Sequence, residues 1–252
     1  MTTPLRIGAR GSTLARVQAA IVAAALGPLA GPTETVSIET DGDRRQPDRP
    51  SGEGDFVRSI EAAVRDGTVD LAVHSAKDLP TDRGADSELV IAAYLTWADP
   101  RDALVTQGGG RSLATLPAEA SVGTDSPRRA GFILAVRPDL RVRDLAGNVD
   151  SRLRRLDEGD VDAIVLAVAG LARLELIARI DEALDPSVVP PAAGQGALAV
   201  QVRRRDAALV ATVRRLDHAA TCTAVEAERA VLGSLGGGCR SPIGTLASTT
   251  AA

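Results

Sequence analysis

Aromatic side chains are scarce in this chain: Phe, Tyr and Trp make up 2% of its 252 residues, against 44% for apolar residues as a whole. The hydrophobic core must therefore be built from Ala, Val, Leu and Ile, and the length is sufficient for two domains. An excess of positive charge is also missing, since the formal net charge is −4. This balance argues against a nucleic-acid-binding protein, which would normally carry a basic excess.

Export and membrane signals are missing too. The N-terminus has no apolar segment of a secretory signal, and no run of about 18 uninterrupted apolar residues occurs. Cys222 and Cys239 are therefore expected to be thiols, and neither they nor the two histidines have the spacing of metal ligands. We expect a cytoplasmic monomer with no metal site, no membrane contact and no nucleic-acid partner.

Lysine is the scarcest basic residue, because Lys77 is the only one among 29 basic residues. Lys carries a compact ammonium whose pKa can shift, whereas Arg is planar and permanently charged. A single lysine in an arginine-rich chain indicates a site that needs an ammonium, and chance retention at a strand end is an equal alternative. Asp78 follows it directly and could steady a developing cation or move a proton; the alternative is a simple turn contact.

Strand-like and helix-like segments alternate along the chain. Strands are predicted at 5–9, 35–39, 69–73, 89–93, 104–105, 121–122, 141–144, 162–168 and 197–202. Helices are predicted at 12–26, 56–65, 126–136, 148–156, from 171, at 206–216 and at 221–235, with a flexible loop at 41–54. Two successive cycles of this kind predict two α/β domains, with a ligand cleft at the carboxyl ends of the strands.

Four predicted strand-to-helix junctions carry arginine, at 8–12, 123–129, 147–152 and 170–173. A helix N-terminus offers free N–H donors and the positive end of its dipole, and an added Arg makes a site for carboxylate or phosphate. Four such junctions indicate a ligand with several negative groups, and the alternative is that these arginines are merely solvated.

Cys239 follows three glycines, Gly236–Gly238, and precedes Arg240. The glycines allow a ligand to approach closely and leave the thiol accessible, and Arg240 could lower the pKa of this thiol. Cys222 fits an ordinary helix position. His74 is expected to be a hydrogen-bonded structural residue, and His218 a surface residue.

Together these residues resemble the hydroxymethylbilane synthase family, also called the porphobilinogen deaminases. The matching motifs include RIGARGS at 6–12 and AVHSAKDLP at 72–80. They continue in one order at 99–103, 122–129, 147–153, 162–171, 194–197, 227–230 and 238–244.

The resemblance implies a transferase that condenses four porphobilinogens head to tail, with release of ammonia, to linear hydroxymethylbilane in tetrapyrrole (porphyrin and haem) biosynthesis. It implies a dipyrromethane cofactor joined to Cys239 through a thioether, with Asp78 as the catalytic carboxylate. The implied cofactor-binding residues are Ser75, Lys77, Thr124, Ser126, Arg128 and Arg129. The implied substrate-binding residues are Arg10, Ser12, Phe56, Asn148, Arg152, Arg173 and Gln195.

The fold implied by the resemblance is α/β, with two domains like type II periplasmic binding proteins around a central cleft. Residues 1–97 and 196–217 would form domain 1, and residues 98–195 domain 2. Residues 218–252 would be the remnant of a truncated third α+β domain that carries the cofactor cysteine.

Several positions depart from the family pattern. Trp97 and Ala146 stand where Arg is usual, Asp125 where a hydroxyl residue is frequent, and Glu53 where Lys is common. Lost cations and added acids would weaken the binding of a polycarboxylate. Three functions stay open: an active synthase of reduced rate, a related transferase with an altered pyrrole substrate or fewer condensations, and a non-catalytic anion-binding protein.

Overall fold

The computed structural model of the chain describes residues 3–40, 54, 56–81 and 87–248. The predicted loop at 41–54, apart from Gly54, lies outside the described residues, and so does the departure at Glu53.

Ten strands and seven α-helices occur in the described ranges. In chain order they are β1 (Leu5–Arg10), α1 (Thr13–Ala30), β2 (Thr33–Ile38), α2 (Arg58–Arg65), β3 (Leu71–Ser75), β4 (Leu89–Tyr94), β5 (Asp102–Thr106), β6 (Ser121–Gly123), α3 (Pro127–Val136), β7 (Arg141–Arg143), α4 (Val149–Asp157), β8 (Ala163–Ala167), α5 (Val168–Arg173), β9 (Glu182–Ala183), β10 (Leu198–Arg203), α6 (Ala207–Arg214) and α7 (Ala219–Ser234).

These strands form two five-stranded sheets with the same layout. The first sheet has the order β2-β1-β3-β10-β4 and the second has the order β7-β6-β8-β5-β9. In each sheet the first three strands are parallel, and the fourth runs antiparallel to both of its neighbours. The predicted α/β class with two sheets is confirmed, whereas the exact domain boundaries stay a prediction.

The core of each sheet is aliphatic, as the composition predicts. The first sheet buries α1 and α6 through Val22, Leu26 and Val213. The second sheet has a core on each face, one containing Ile133 and the other Leu156.

Two helices that start beside the cavity are capped by serine side chains. Ser12 Oγ accepts a hydrogen bond from Ala15 N at 3.3 Å at the start of α1. Ser126 Oγ accepts one from Arg129 N at 3.4 Å at the start of α3, and Pro127 takes the first helical position. Side-chain oxygens at these positions satisfy N–H groups that a helix start leaves unpaired.

One predicted junction is wrong. The helix expected from residue 171 begins at Val168, so Arg173 is the last residue of α5 and not a first-turn residue. The helix starts directly at the end of β8 and leaves no loop between them, which the apolar run 163–169 did not reveal.

Helix α1 is, among the described helices, the one long and apolar enough to cross a membrane by length and composition, with a hydropathy of 1.5. It is not an uninterrupted apolar run, because Arg16 and Gln18 lie within it. Its buried residues Ala19, Val22 and Leu26 pack against the first sheet. One face of α1 is therefore part of the core of the first sheet.

Candidate functional site

A cavity of about 280 Å³ lies between segments that follow β1 and β3 in the first sheet and β6 and β8 in the second. These are carboxyl ends of parallel strands, where the sequence predicted a cleft. Thirteen of the predicted site residues line it: Arg10, Ser12, Phe56, Ser75, Lys77, Asp78, Ser126, Arg128, Arg129, Asn148, Arg152, Gln195 and Cys239.

The other two predicted site residues, Thr124 and Arg173, are not in the cavity lining. Thr124 is 1% exposed, and its Oγ1 accepts a hydrogen bond from Ser126 N at 3.2 Å. Arg173 donates from Nη2 to the carbonyl oxygen of Gly196 at 2.6 Å, and burial lowers the pKa of Arg173 to about 10. Their binding roles stay predictions.

The first-sheet wall of the cavity, defined here as Ser75, Lys77 and Asp78, lies where β3 runs into a short 3-10 turn. Lys77 Nζ donates to Gln195 Oε1 at 3.1 Å. Burial, together with the nearby charge of Arg129, lowers the pKa of Lys77 to about 8. The only lysine of the chain is therefore an ammonium with an easily removed proton.

In the second-sheet wall, defined here as Arg128, Arg129 and Arg152, the first two arginines share a carboxylate for which no role was predicted. Asp102 is 0% exposed at the start of β5. It accepts from Arg129 Nε at 3.0 Å and Nη2 at 2.7 Å, and pairs with Arg128 Nη1 at 2.8 Å. Burial alone would raise the pKa of Asp102, but Arg129 and Arg128 hold it well below its usual range. A charged residue inside the apolar run DALV was the available signal.

Gln195 connects the two walls. Its Nε2 donates to Asp102 Oδ1 at 2.8 Å and to the carbonyl of Pro100 at 2.7 Å, while its Oε1 accepts from Lys77. Gln195 is 0% exposed and belongs to one of the two segments that pass between the sheets. One side chain thus fixes the ammonium relative to the buried carboxylate.

The two crossing segments also touch each other. The indole Nε1 of Trp97 donates to the carbonyl of Gln195 at 2.6 Å. Gly196 has a φ of +94°, and a Cβ there would lie 2.5 Å from the carbonyl oxygen of Ala98. Only glycine permits this approach. The two crossing segments are therefore closely packed at Gly196, and Trp97 lies within this contact.

Arg10 and Arg152 also contact other side chains that line the cavity. Arg10 Nη2 donates to Asn148 Oδ1 at 3.1 Å, and its guanidinium lies 4.0 Å from the ring centroid of Phe56, a cation–π contact. Arg152 pairs with Asp125 at 2.9 Å and donates from Nε to the carbonyl of Gly147 at 2.7 Å. Arg10 therefore joins the two sheets through Asn148.

The two cysteines differ in accessibility, and both are free thiols, as predicted. Cys239 is exposed and lines the cavity. Its loop is held by a hydrogen bond from Thr81 Oγ1 to the carbonyl of Gly237 at 2.9 Å. Cys222 is half-buried on α7, and burial raises the pKa of its thiol. Cys239 is the thiol that a ligand in the cavity could reach.

Helix α7 binds the segments that follow Asp78 and precede Gln195 through two buried residues for which no role was predicted. Arg229 donates to the carbonyls of Leu79 at 3.1 Å and Pro80 at 2.5 Å, just after Asp78. Glu228 accepts from Gly194 N at 2.7 Å, and burial raises the pKa of Glu228 to about 7. Charged residues on the inner face of a helix, as in AERA, were the available signal.

The histidines take the predicted places. His74 is buried with Nε2 3.0 Å from Gln201 Oε1, and His218 is exposed at the start of α7, where its Nδ1 accepts from Thr221 N. Within the described ranges no group of three or more His, Cys, Asp or Glu could hold a metal ion.

Two family models match the chain. One is described as porphobilinogen deaminase, dipyromethane cofactor binding domain, and matches residues 5–211. The other is described as porphobilinogen deaminase, C-terminal domain, and matches residues 222–252.

Curated relatives agree with these models. A porphobilinogen deaminase from Acidothermus cellulolyticus is 49% identical, with 98% of this chain and 76% of the relative covered. One from Roseiflexus castenholzii is 50% identical, with 98% and 82% covered.

Solved structures support the fold alone. A periplasmic substrate-binding protein of an ABC transporter from Coxiella burnetii aligns with a TM-score of 0.52 at 16% identity, covering 87% of this chain and 94% of that chain. A putative methionine-binding lipoprotein from Bacillus subtilis aligns with a TM-score of 0.51 at 12% identity, covering 84% and 89%. The predicted likeness to type II periplasmic binding proteins is confirmed.

Proposed function

The chain belongs to the porphobilinogen deaminase family, and we propose from this premise which of its residues carry out the reaction. It is a hydroxymethylbilane synthase, a transferase of tetrapyrrole biosynthesis with a dipyrromethane cofactor. It condenses four porphobilinogens head to tail, each condensation forming one carbon–carbon bond and releasing one ammonia. The comparisons do not favour a non-catalytic anion-binding protein or a transferase for an altered pyrrole.

The observation that carries the assignment of residues is the content of one cavity. An exposed thiol, a strand-end carboxylate and several arginines line it together, at Cys239, Asp78 and the second-sheet wall. A thiol can tether a group covalently, a carboxylate can stabilise a cation, and arginines can hold carboxylates. These are the three capacities that the reaction requires.

The cofactor is proposed to bind in this cavity. We assign its attachment to Cys239, because this thiol is exposed and lines the cavity, whereas Cys222 is half-buried on α7. When bound, the dipyrromethane supplies the primer to which pyrrole units are added. The residues proposed to hold its acidic side chains are Ser75, Lys77, Thr124, Ser126, Arg128 and Arg129.

Asp78 is the proposed catalytic carboxylate. Loss of ammonia from the aminomethyl group of porphobilinogen leaves a cation, and a fixed carboxylate lowers the energy of the transition state that leads to it. The negative charge of Asp78 lies close enough to Lys77 and Arg152 to favour the charged form of both side chains. A cation that forms beside Asp78 is therefore flanked by groups that hold anionic side chains in place.

Substrate carboxylates are proposed to bind a separate set of residues: Arg10, Ser12, Phe56, Asn148, Arg152, Arg173 and Gln195. Arg10 and Asn148 contribute from opposite sheets, so a substrate held by both would also hold the sheets together. We further propose the division into domain 1 (1–97 and 196–217), domain 2 (98–195) and a third part (218–252), acting as a monomer in the cytoplasm.

Intact mass of protein from a host that makes porphobilinogen tests the proposal. We expect the mass of a dipyrromethane on the wild-type chain and on Cys222→Ser, mapped to the peptide of Cys239, and its absence from Cys239→Ser. Loss of the adduct in Cys222→Ser alone, or an unmodified well-folded wild-type chain, would contradict the assignment.

A further inference from the structure

Asp125 lies in the binding cavity, at the point where β6 ends and directly before the helix cap of α3. It is an acid in a cavity lined by several arginines. Its Oδ1 lies 2.9 Å from Arg152 Nη2, and the exposed fractions of the side chains are 18% for Asp125 and 13% for Arg152.

Arg152 has part of its binding capacity already engaged by the chain itself. Its Nε donates to the carbonyl of Gly147 at 2.7 Å, and its Nη2 is paired with Asp125. Carboxylates bind a guanidinium most strongly through two parallel N–H donors. A ligand carboxylate that binds Arg152 through two N–H donors has to compete with the carboxylate of Asp125, which already pairs with Nη2.

The other carboxylate among these arginines, Asp102, behaves differently. Asp102 is 0% exposed and is absent from the cavity lining, so a ligand cannot reach it. It is further tied to Gln195 and two arginines. Asp125 faces the cavity and shares one ion pair, so its contact is the one that a ligand could replace.

We propose that Asp125 is a built-in competitor, which occupies Arg152 in the empty cleft and lowers the affinity of this site for the carboxylates of its ligand. The identity of that ligand, a pyrrole with acetate and propionate groups, rests on the proposed function. The competition itself rests on the ion pair and its position. Asp125 is thus a residue that sets specificity and affinity, and it opposes binding until it is displaced.

Asp125→Ser tests the proposal, with Asp150→Ser as a matched control. Asp150 is an exposed acid in the same cavity, on the first turn of α4, and the ion pairs found among the described residues do not include it. Both variants remove one negative charge from the cleft, and only the first releases Arg152. The probe is glutarate, a dicarboxylate without a pyrrole, titrated calorimetrically into the full chain.

We expect Asp125→Ser to bind glutarate about five- to tenfold more tightly than the wild type, and Asp150→Ser within about twofold of it. Adding Arg152→Gln to Asp125→Ser should abolish the gain. Equal affinities in the two serine variants, a gain that survives Arg152→Gln, or no binding to either serine variant would overturn the proposal.

Substrate saturation separates this proposal from the assigned function. In Asp125→Ser the KM for porphobilinogen should fall by a factor similar to the gain in glutarate affinity. Absence of turnover in the wild type as well would contradict the proposed function, while the glutarate ranking would still decide the role of Asp125.

Discussion

The two sheets have one topology but bring different side chains to the cavity. Each has three parallel strands followed by an antiparallel one, and each sends the ends of parallel strands toward the same cleft. The first-sheet wall supplies Lys77 and Asp78, whereas the second-sheet wall supplies arginines. Topology thus determines where functional residues emerge, and the residues at those strand ends determine what each wall does.

The walls also differ in how firmly they are built. Arg128 and Arg129 are 3% and 5% exposed and are locked on buried Asp102, whereas Asp78 is partly exposed in a short 3-10 turn. Substitutions in a wall built around a buried ion cluster should mainly lower the stability of the protein. Substitution of the accessible carboxylate in the other wall should mainly lower the reaction rate.

The largest expected effect is on stability, from Asp102→Asn in the second-sheet wall. Removing this charge leaves Arg128 and Arg129 buried without their counter-ion, which costs about 3–5 kcal/mol. Urea unfolding measures the loss. The control is Asp99→Asn, which breaks the more exposed pair with Arg101 and should cost less than about 1 kcal/mol. Equal losses in the two variants would show that the Asp102 cluster is not what holds this wall.

The next largest effect is expected on the rate, from Asp78→Asn in the first-sheet wall. The amide is nearly the same size but cannot stabilise a cation as a carboxylate does, so turnover should fall about 10²–10³-fold. The unfolding midpoint and the cofactor mass should stay those of the wild type. Asp150→Asn removes a charge from the same cleft and should leave turnover within about twofold. Near-normal turnover of Asp78→Asn would remove Asp78 from the mechanism.

The elements around the site could be predicted from sequence because their signals are local. Ser12 and Ser126 indicate the helices that start at the cleft, and the apolar runs before Lys77 and after Asp102 indicate strands. The motifs that carry the family resemblance then placed thirteen residues in one cavity. Local periodicity and motif order were sufficient for these assignments.

Long-range polar contacts could not be predicted in the same way. Asp102 meets Gln195, which is 93 residues away in the chain, and Glu228 meets Gly194. Nothing in the spacing of these residues reveals that both partners are buried together. The misplacement of Arg173 at a helix start has a local cause instead, because the apolar sequence shows no boundary where β8 runs directly into α5.

The smallest expected effect is a shift in the pKa of Lys77 in the first-sheet wall, caused by charges in the second-sheet wall. Selective ¹³C labelling of lysine gives one side-chain signal, because Lys77 is the only lysine. In Cys239→Ser, expected to lack the cofactor, this signal should titrate near pH 8, since burial and Arg129 lower the pKa of Lys77 from 10.5 to about 8. In the cofactor-loaded chain the pKa should be higher, because nearby carboxylates favour the ammonium.

The pKa of Lys77 in Arg129→Gln and in Arg128→Gln shows whether charges in the second-sheet wall act on the first-sheet wall. Both disturb Asp102, but Arg129 lowers the pKa of Lys77 more than Arg128 does, so Arg129→Gln should raise it more. Because the folded pKa lies below the unfolded value, the unfolded chain holds more protons between about pH 8 and 10.5. The contribution of Lys77 to stability therefore rises with pH across that window. An unchanged pKa of Lys77 in Arg129→Gln, measured in the cofactor-free chain, would mean that the two walls act independently.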